Sequence, residues 1–355
     1  MTQPTASTSP VTIGLDTGDR RIHFCVLENR DVTGRGSCAT TRAGLDKALA
    51  PYRGAHVVLE AGSQSAWMAR HLEGRGFTVH TVDPRRVQLI TKDHRKTDRR
   101  DAEMLARLGS AMPELLGRVH HRSEQAHADL MLIRVRDHLV DARRGMVQCV
   151  RGLAKSFGIT LPEASTKAFG KKAGASIPEA IQPAIQPILQ QIDGVTKAIN
   201  ELEKCIEEAT ERYPEVVPLR KFRGVGPITS LAFVLKIEDP KLFTDSRRVA
   251  SWIGLCPKSH ASGDSDPELP ISKCGDPYLR RLLVQCAHYI LGPFGEDSDL
   301  RRFGLRLVAR GGRSAKKKAV IAVARKLAVL MHRLWVRGLA YDPLYQQKRL
   351  AAMTA

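Results

Sequence analysis

Hydrophobic and polar positions alternate over Val11, Ile13 and Leu15, and again over Ile22, Phe24 and Val26, with the turn-prone run Asp16 to Arg20 between them. A period of two interrupted by turn formers predicts a β-hairpin. His56 to Glu60 reads as a third strand and leads into a helical stretch around Ser65 to Arg75. Phe77 to Val82 reads as a further strand, stopped by Asp83 and Pro84. Strands first paired and then alternating with helices imply an α/β region with a mixed sheet.

The period changes in the middle of the chain. Leu132, Val135, Leu139, Ala142, Met146, Cys149 and Leu153 recur at alternating spacings of three and four, as do Ile188, Ile192, Val195, Ile199, Leu202 and Ile206 after Pro187. Such spacing, with Glu and Lys on the flanks, marks helical seams of the coiled-coil kind. The seams pack either on each other within one chain or against a second subunit. A loop rich in Pro, Ala, Gly and Lys joins them near Pro162 to Pro187, and Pro214 and Pro218 mark a boundary before a final, mostly helical region.

Charge adds a partner to this outline. Among 355 residues, 56 Lys plus Arg stand against 37 Asp plus Glu, for a formal net charge of +19. Such a field attracts polyanions, nucleic acid first among them. The excess is also clustered: Arg301 to Arg337 holds twelve Lys and Arg and no acid. Seven scattered cysteines form no CxxC pair and show no metal-ligand spacing with histidine, so they read as reduced thiols. The polar N-terminus and the lack of a long uncharged apolar run argue against a signal peptide and a membrane span, and predict a cytoplasmic protein.

Four acids stand out. Asp16 and Glu60 each lie where a predicted strand ends, while Asp98 and Asp101, three apart in KTDRRDAEMLA, project from one helix face. Taken singly, Asp16 is a turn residue, Glu60 a helix-start charge, and Asp98 and Asp101 partners of neighbouring basic residues. Taken together they favour a metal site, because Glu60 closes an otherwise apolar strand, HVVLE, where an acid is costly without a partner. Hard divalent cations such as Mg²⁺ prefer carboxylate oxygen, and a pair of them can stabilise both attacking and leaving oxygens at a phosphodiester. Arg95 and Arg99, interleaved with these acids, suit a site that also holds phosphate.

Towards the C-terminus, KFRGVGPITSLAFVL places Gly224 and Gly226 at a helix start, where free backbone N–H groups can face a phosphate. This is either a helix-hairpin-helix-like DNA-backbone contact or a simple glycine-rich helix start. A Ser-rich loop follows and gives way to a helix carrying Arg280 and Arg281. A loop suits an exposed nucleophile, and a serine such as Ser262 needs a metal, a base or nearby cations to activate it. Lys273, Arg280 and Arg281 are candidates for stabilising phosphate charge. Within the late basic stretch, Arg313, Lys316, Lys317 and Lys318 are candidate backbone contacts, while Val320, Ala324, Leu327 and Leu330 define a buried stripe.

The segments IGLD, VVLE and KTDRRDAEMLA, followed by FRGVGPITS, WIGLCPKSHASG, ISKCGDPYLRRLL and KKKAVIAVARKLAVLMHRLW, resemble over most of the chain the IS-one-ten, or DEDD, transposases of bacterial insertion sequences. That family includes the Piv-type DNA invertases. The resemblance implies a RuvC-like, ribonuclease-H-type domain over residues 11–121 after a disordered tail at 1–10. It also implies a helical coiled-coil oligomerisation region over 122–213 and a mostly helical transposase domain over 214–345.

In this family the proposed nucleophile is a serine directly before glycine, five positions after the proline of the GL-x-P segment. Counted from Pro257 this is Ser262, followed by Gly263. The resemblance further implies Mg²⁺, or Mn²⁺, held by Asp16, Glu60, Asp98 and Asp101, and a phosphoserine link to DNA. Its implied partners are donor and target double-stranded DNA, a bridge RNA, and further copies of the chain in a homodimer or homotetramer, within a nucleoid-associated bacterial setting. The segment GDSDPELP departs from the family pattern by replacing a Gly- and Lys-rich stretch. Competing readings are a metal-dependent junction resolvase or nuclease, in which Ser262 is only a loop residue, and a non-catalytic nucleic-acid-binding scaffold.

Overall fold

A computed structural model of the chain describes residues 11–90, 97–259 and 269–354. These fall into two compact units that part between Ser123 and Glu124. The N-terminal unit is built on a five-stranded sheet in the order β3-β2-β1-β4-β5. Strands β1 (Val11–Thr17), β2 (Arg21–Glu28) and β3 (Asp31–Ala39) form an antiparallel meander. Helix α1 (Arg42–Leu49) leads to β4 (His56–Glu60), and helix α2 (Ser65–Gly74) to β5 (Thr78–Val82), with both strands parallel to β1. Short α3 (Pro84–Ile90) and longer α4 (Asp98–Ala111) complete the unit.

The pleat sorts the side chains. Ile13, Leu15, Ile22, Val26, Val57 and Leu59 pack on Leu45, Leu49, Met68 and Leu72 of α1 and α2. The alternate positions Cys25, Leu27 and Val58 meet Ala102, Leu105, Ala106 and Leu108 of α4 on the opposite face. Two glycines let α4 lie close: a Cβ at Gly14 falls 2.1 Å from the Ala102 carbonyl oxygen, and one at Gly109 falls 2.3 Å from a Val58 methyl. Gly14→Ala therefore pushes backbone against backbone and is expected to destabilise this unit by about 1–3 kcal/mol. Thermal denaturation followed by circular dichroism checks this.

The hairpin and the strand His56–Glu60 form where the alternation predicts them. Strand β3 and helix α1 add to the sequence reading. The sequence DVTGRGSCA carries few apolar residues, and as an edge strand it alternates between exposed and half-buried positions without burying any. Its pairing with β2 supplies the order that its side chains do not.

The C-terminal unit opens with α5 (Glu124–Ser156), continues through α6 (Phe169–Gly174), and returns along α7 (Gln182–Thr210). Helices α5 and α7 pack on each other in one chain. Val147, Val150 and Ala154 meet Ile185, Leu189 and Ile192, with Phe169 and Ala173 of α6 closing that core. On α7 the expected seam holds in part: Ile192, Ile199 and Ile206 are buried at heptad spacing, Ile188, Val195 and Leu202 are half-buried, and Ile185 and Leu189 extend the buried face beyond the expected members. The helix begins before the expected point, however, and carries Pro187 inside it.

On α5 the buried face differs from the expected seam. Ala126, Leu130, Ile133, Val147, Val150 and Ala154 are buried, while Val135 is 50% and Leu153 44% exposed. Polar groups occupy two of the buried positions. Asp129 accepts hydrogen bonds from Gln125, Arg212 and the Tyr213 hydroxyl, and Arg143 donates to Thr196.

The remaining helices are α8 (Val216–Leu219), α9 (Pro227–Ile237), α10 (Arg247–Trp252), α11 (Pro277–Leu291), α12 (Asp299–Ala309), α13 (Ala315–Arg337) and α14 (Tyr345–Thr354). Helix α9, buried along nearly its whole length, sits at the centre of a core shared with α11, α13 and the near ends of α5 and α7. Among the described residues, no helix is long and apolar enough to cross a membrane.

Candidate metal centre and nucleic-acid interface

Asp16 and Glu60 stand at the same end of two neighbouring parallel strands, each one residue beyond the paired Leu15 and Leu59. Because Leu15 and Leu59 face α1 and α2, the pleat turns Asp16 and Glu60 to the α4 side. Helix α4 lays Ala102 and Leu105 on the sheet, and one helical turn earlier the same stripe carries Asp98 and Asp101. Thus all four predicted acids belong to one end of the sheet, on one face. Their positions follow from strand alternation, the helical period and the glycine-permitted approach of α4.

The tightest part of this arrangement includes a residue absent from the sequence reading. His23 of β2 is the cross-strand partner of Asp16, and its Nδ1 lies 3.4 Å from an Asp98 carboxylate oxygen. Among the described residues, Asp16, His23 and Asp98 each offer a ligand atom within 4.8 Å of the others. Glu60 and Asp101 stay outside that group of three. Asp16, His23, Glu60 and Asp101 are half-buried, while Asp98 and Arg99 are exposed. A carboxylate and imidazole cluster of this span matches the donor set of a divalent cation. Arg95 lies outside the described residues.

In the C-terminal unit, Gly224 takes a left-handed φ of 89°, and a Cβ there falls 2.8 Å from the Tyr289 ring. Glycine is therefore required by both backbone and space. Gly226 caps the start of α9 without a side chain, and Pro227 follows as the first helical residue. Ser262 lies outside the described residues. The described residues on either side of it pair with each other: Pro257 bridges Ile271, the Ser272 amide donates to the Cys256 carbonyl at 2.8 Å, and that of Lys258 to Pro270 at 3.0 Å.

Lys273 is exposed beyond this segment at a φ of 57°. Arg280 and Arg281 are engaged within the chain. Arg280 donates to the carbonyls of Ile253 and Gly275, fixing the start of α11 to the end of α10. Arg281 pairs with Asp137 of α5 and lies over the Tyr278 ring. Sequence spacing gives no sign of these internal partners, which lie at the end of α10, just before α11 and on α5. Arg313, Lys316, Lys317 and Lys318 are all exposed at the beginning of α13.

Comparison with known proteins gives a consistent relationship. Residues 218–298 match the family model described as "Transposase IS116/IS110/IS902 family", and residues 13–157 match a DEDD transposase model of the IS110 type. The chain is 27% identical to the transposase for insertion sequence element IS1111A of Coxiella burnetii, covering 80% of this chain and 79% of that protein. It is 28% identical to a probable family 20 transposase of Pseudomonas aeruginosa, over 81% and 86% of the two chains. A shorter similarity, 26% over 42% of this chain and 46% of the other, relates it to the pilin gene-inverting protein of Moraxella bovis.

Proposed function

Because the chain belongs to the IS116/IS110/IS902 family of DEDD transposases and is a phosphoryl-transfer enzyme, we propose that it cuts and rejoins DNA through a serine–DNA phosphodiester, with a cation site at the acidic sheet end. The observation that carries the cation site is the convergence of Asp16 and Asp98 on one face, with Glu60 and Asp101 on the same strand ends and helix stripe. The strand order, with an antiparallel meander continued by parallel strands and helices on both faces, supports a RuvC-like, ribonuclease-H-type reading of this unit.

In this reading Asp16, Glu60, Asp98 and Asp101 are the metal ligands and Ser262 is the nucleophile. Bound Mg²⁺ or Mn²⁺ supplies Lewis acidity for charge developing on the phosphate oxygens. The Ser262 hydroxyl oxygen attacks phosphorus, a phosphorus–sugar oxygen bond breaks as the phosphorus–serine bond forms, and the serine proton passes to the departing sugar oxygen. One phosphodiester replaces another, so rejoining needs no outside energy source. Lys273, exposed next to the nucleophile's segment, would bind phosphate, while Arg280 and Arg281 would shape that neighbourhood through their internal partners.

The start of α13 supports a nucleic-acid face in particular. Lys316, Lys317 and Lys318 stand at the positive end of a helix dipole, an unfavourable placement that an anionic backbone reverses. With Arg313, Arg99, Gly224 and Gly226, they would contact donor and target DNA and a bridge RNA through backbone shape, leaving sequence to base pairing. The exposed Val135, Cys149 and Leu153 of the α5 stripe, with the half-buried Leu139 and Ala142 between them, support assembly with further copies of the chain.

The test is to incubate protein, co-expressed RNA, Mg²⁺ and labelled element-junction DNA, and to look on a denaturing gel for a protease-sensitive adduct. The expected result is an adduct with the wild type that Ser262→Ala abolishes. Metal-dependent cleavage that persists in Ser262→Ala without any adduct overturns the serine mechanism and makes the protein a water-using nuclease or resolvase.

A further inference from the structure

We propose that His23 is a nitrogen ligand of the divalent cation, joining Asp16 and Asp98, and that it gives the site a stronger hold on Mn²⁺ than on Mg²⁺. The inference rests on reading the acidic sheet end as a cation site and goes beyond the four carboxylates of that reading.

The placement follows from the sheet. His23 and Asp16 face each other across β1 and β2. His23 shares its face of β2 with Cys25 and Leu27, which pack against Ala102 and Ala106 of α4. That packing fixes the start of α4 above the imidazole, with Nδ1 3.4 Å from Asp98 Oδ2. The His23 side chain is 22% exposed and that of Asp98 70%. The imidazole is therefore a held wall of the site, and the carboxylate is its open side.

The spacing suits one ion. Ligands about 2.1 Å from a six-coordinate cation lie roughly 3 Å apart along an octahedral edge and roughly 4.2 Å apart across it. Donor atoms of Asp16, His23 and Asp98 mutually within 4.8 Å need only small adjustments to share such an ion. A neutral imidazole adds a donor without adding charge. It is also the one donor here that discriminates between ions: Mg²⁺ takes oxygen and keeps its waters, whereas imidazole suits transition ions. If His23 served only as an ion-pair partner for Asp98, it would leave no nitrogen on the metal and no imprint on ion selectivity.

The experiment titrates Mn²⁺ into the full-length protein and records pulsed electron-spin-echo modulation with affinity measurements for Mn²⁺ and Mg²⁺. The wild type is expected to show ¹⁴N modulation from a directly bound nitrogen, replaced by the ¹⁵N pattern in uniformly ¹⁵N-labelled protein. His23→Ala is expected to lose that modulation, with its preference for Mn²⁺ over Mg²⁺ reduced on the order of tenfold. His23→Gln serves as a second variant with a polar side chain on the strand, and the isotope measurement on the wild type needs no variant.

Mn²⁺ binding that depends on Asp16 but shows no nitrogen modulation overturns the role of His23 and leaves the cation site standing. Modulation that persists in both His23 variants, or an unchanged ion preference, does the same. Mn²⁺ affinity unaffected by Asp16→Asn overturns the cation site itself, and the inference with it.

Discussion

Asp16→Asn lowers DNA strand cleavage on the order of 10²–10³-fold, the loss expected when a fixed electrostatic contribution to a phosphoryl transition state is removed. The substitution keeps shape and hydrogen-bonding capacity while deleting the charge at the end of β1 that faces α4. The accompanying readout is thermal. A ligand at one hundred times its dissociation constant stabilises the folded state by about 2.7 kcal/mol. Added Mg²⁺ or Mn²⁺ therefore raises the melting temperature of the wild type by several degrees and leaves that of Asp16→Asn nearly unchanged. Loss of cleavage with the metal-induced shift intact places Asp16 away from the cation.

The acids were legible because their surroundings were simple. Asp16 and Glu60 end runs whose other members are apolar, so each strand's alternation locates its acid, and the spacing of Asp98 and Asp101 follows from the helical period. His23 was not legible, because a polar residue between Ile22 and Phe24 reads as a solvent position on a one-sided hairpin. It becomes a site residue only when Gly14 and Gly109 admit α4 onto that face, and the sequence lists those glycines without saying what approaches them.

A related cause hid the inner face of α5. Asp129 and Arg143 occupy buried positions on it, and a search for unbroken apolar spacing passes them by in favour of the more regular stripe through Leu132 and Val135. Asp129 tolerates burial because Arg212 and Tyr213 satisfy it, and Arg143 reaches Thr196 through one of its nitrogens; partners so distant in sequence leave no local trace. Helix α7 carries no such interruption between Ile192 and Ile206, and there Ile192, Ile199 and Ile206 of the expected seam are buried, whereas Ile185 and Leu189 lie before or between its members.

Asp276→Ala is expected to destabilise the C-terminal unit by about 3–5 kcal/mol, the cost of breaking a buried ion pair from one side. Lys236 of α9 is 5% exposed and pairs with the Asp276 carboxylate. The other oxygen of Asp276 accepts from the Leu279 amide at 2.8 Å and caps α11. Burial pushes the carboxyl up, but the Lys236 ammonium and the backbone amides of Leu279 and Tyr278 outweigh it and hold Asp276 below the usual carboxylate range.

A depressed folded value means that the pair's contribution is fully present above the unfolded carboxylate value near 3.9 and is lost as pH falls through the folded one. Urea denaturation at pH 7 should therefore show the full gap between wild type and Asp276→Ala, and the gap should shrink on acidification below about pH 4. Asp276→Asn keeps a capping oxygen and is expected to recover about 1 kcal/mol relative to the alanine variant. Equal losses in the two variants would assign the effect to the charge alone. The pair joins the buried α9 to the start of α11, where Arg280 also holds the Ile253 and Gly275 carbonyls. The hydrogen-bonded residues that flank Ser262 in sequence, Cys256 and Ser272, follow and precede the residues of that joint. Under the proposed serine mechanism, a fall in adduct formation with Asp276→Asn, at a temperature where the unit is still folded, would tie this ion pair to the reaction as well as to the stability of the core.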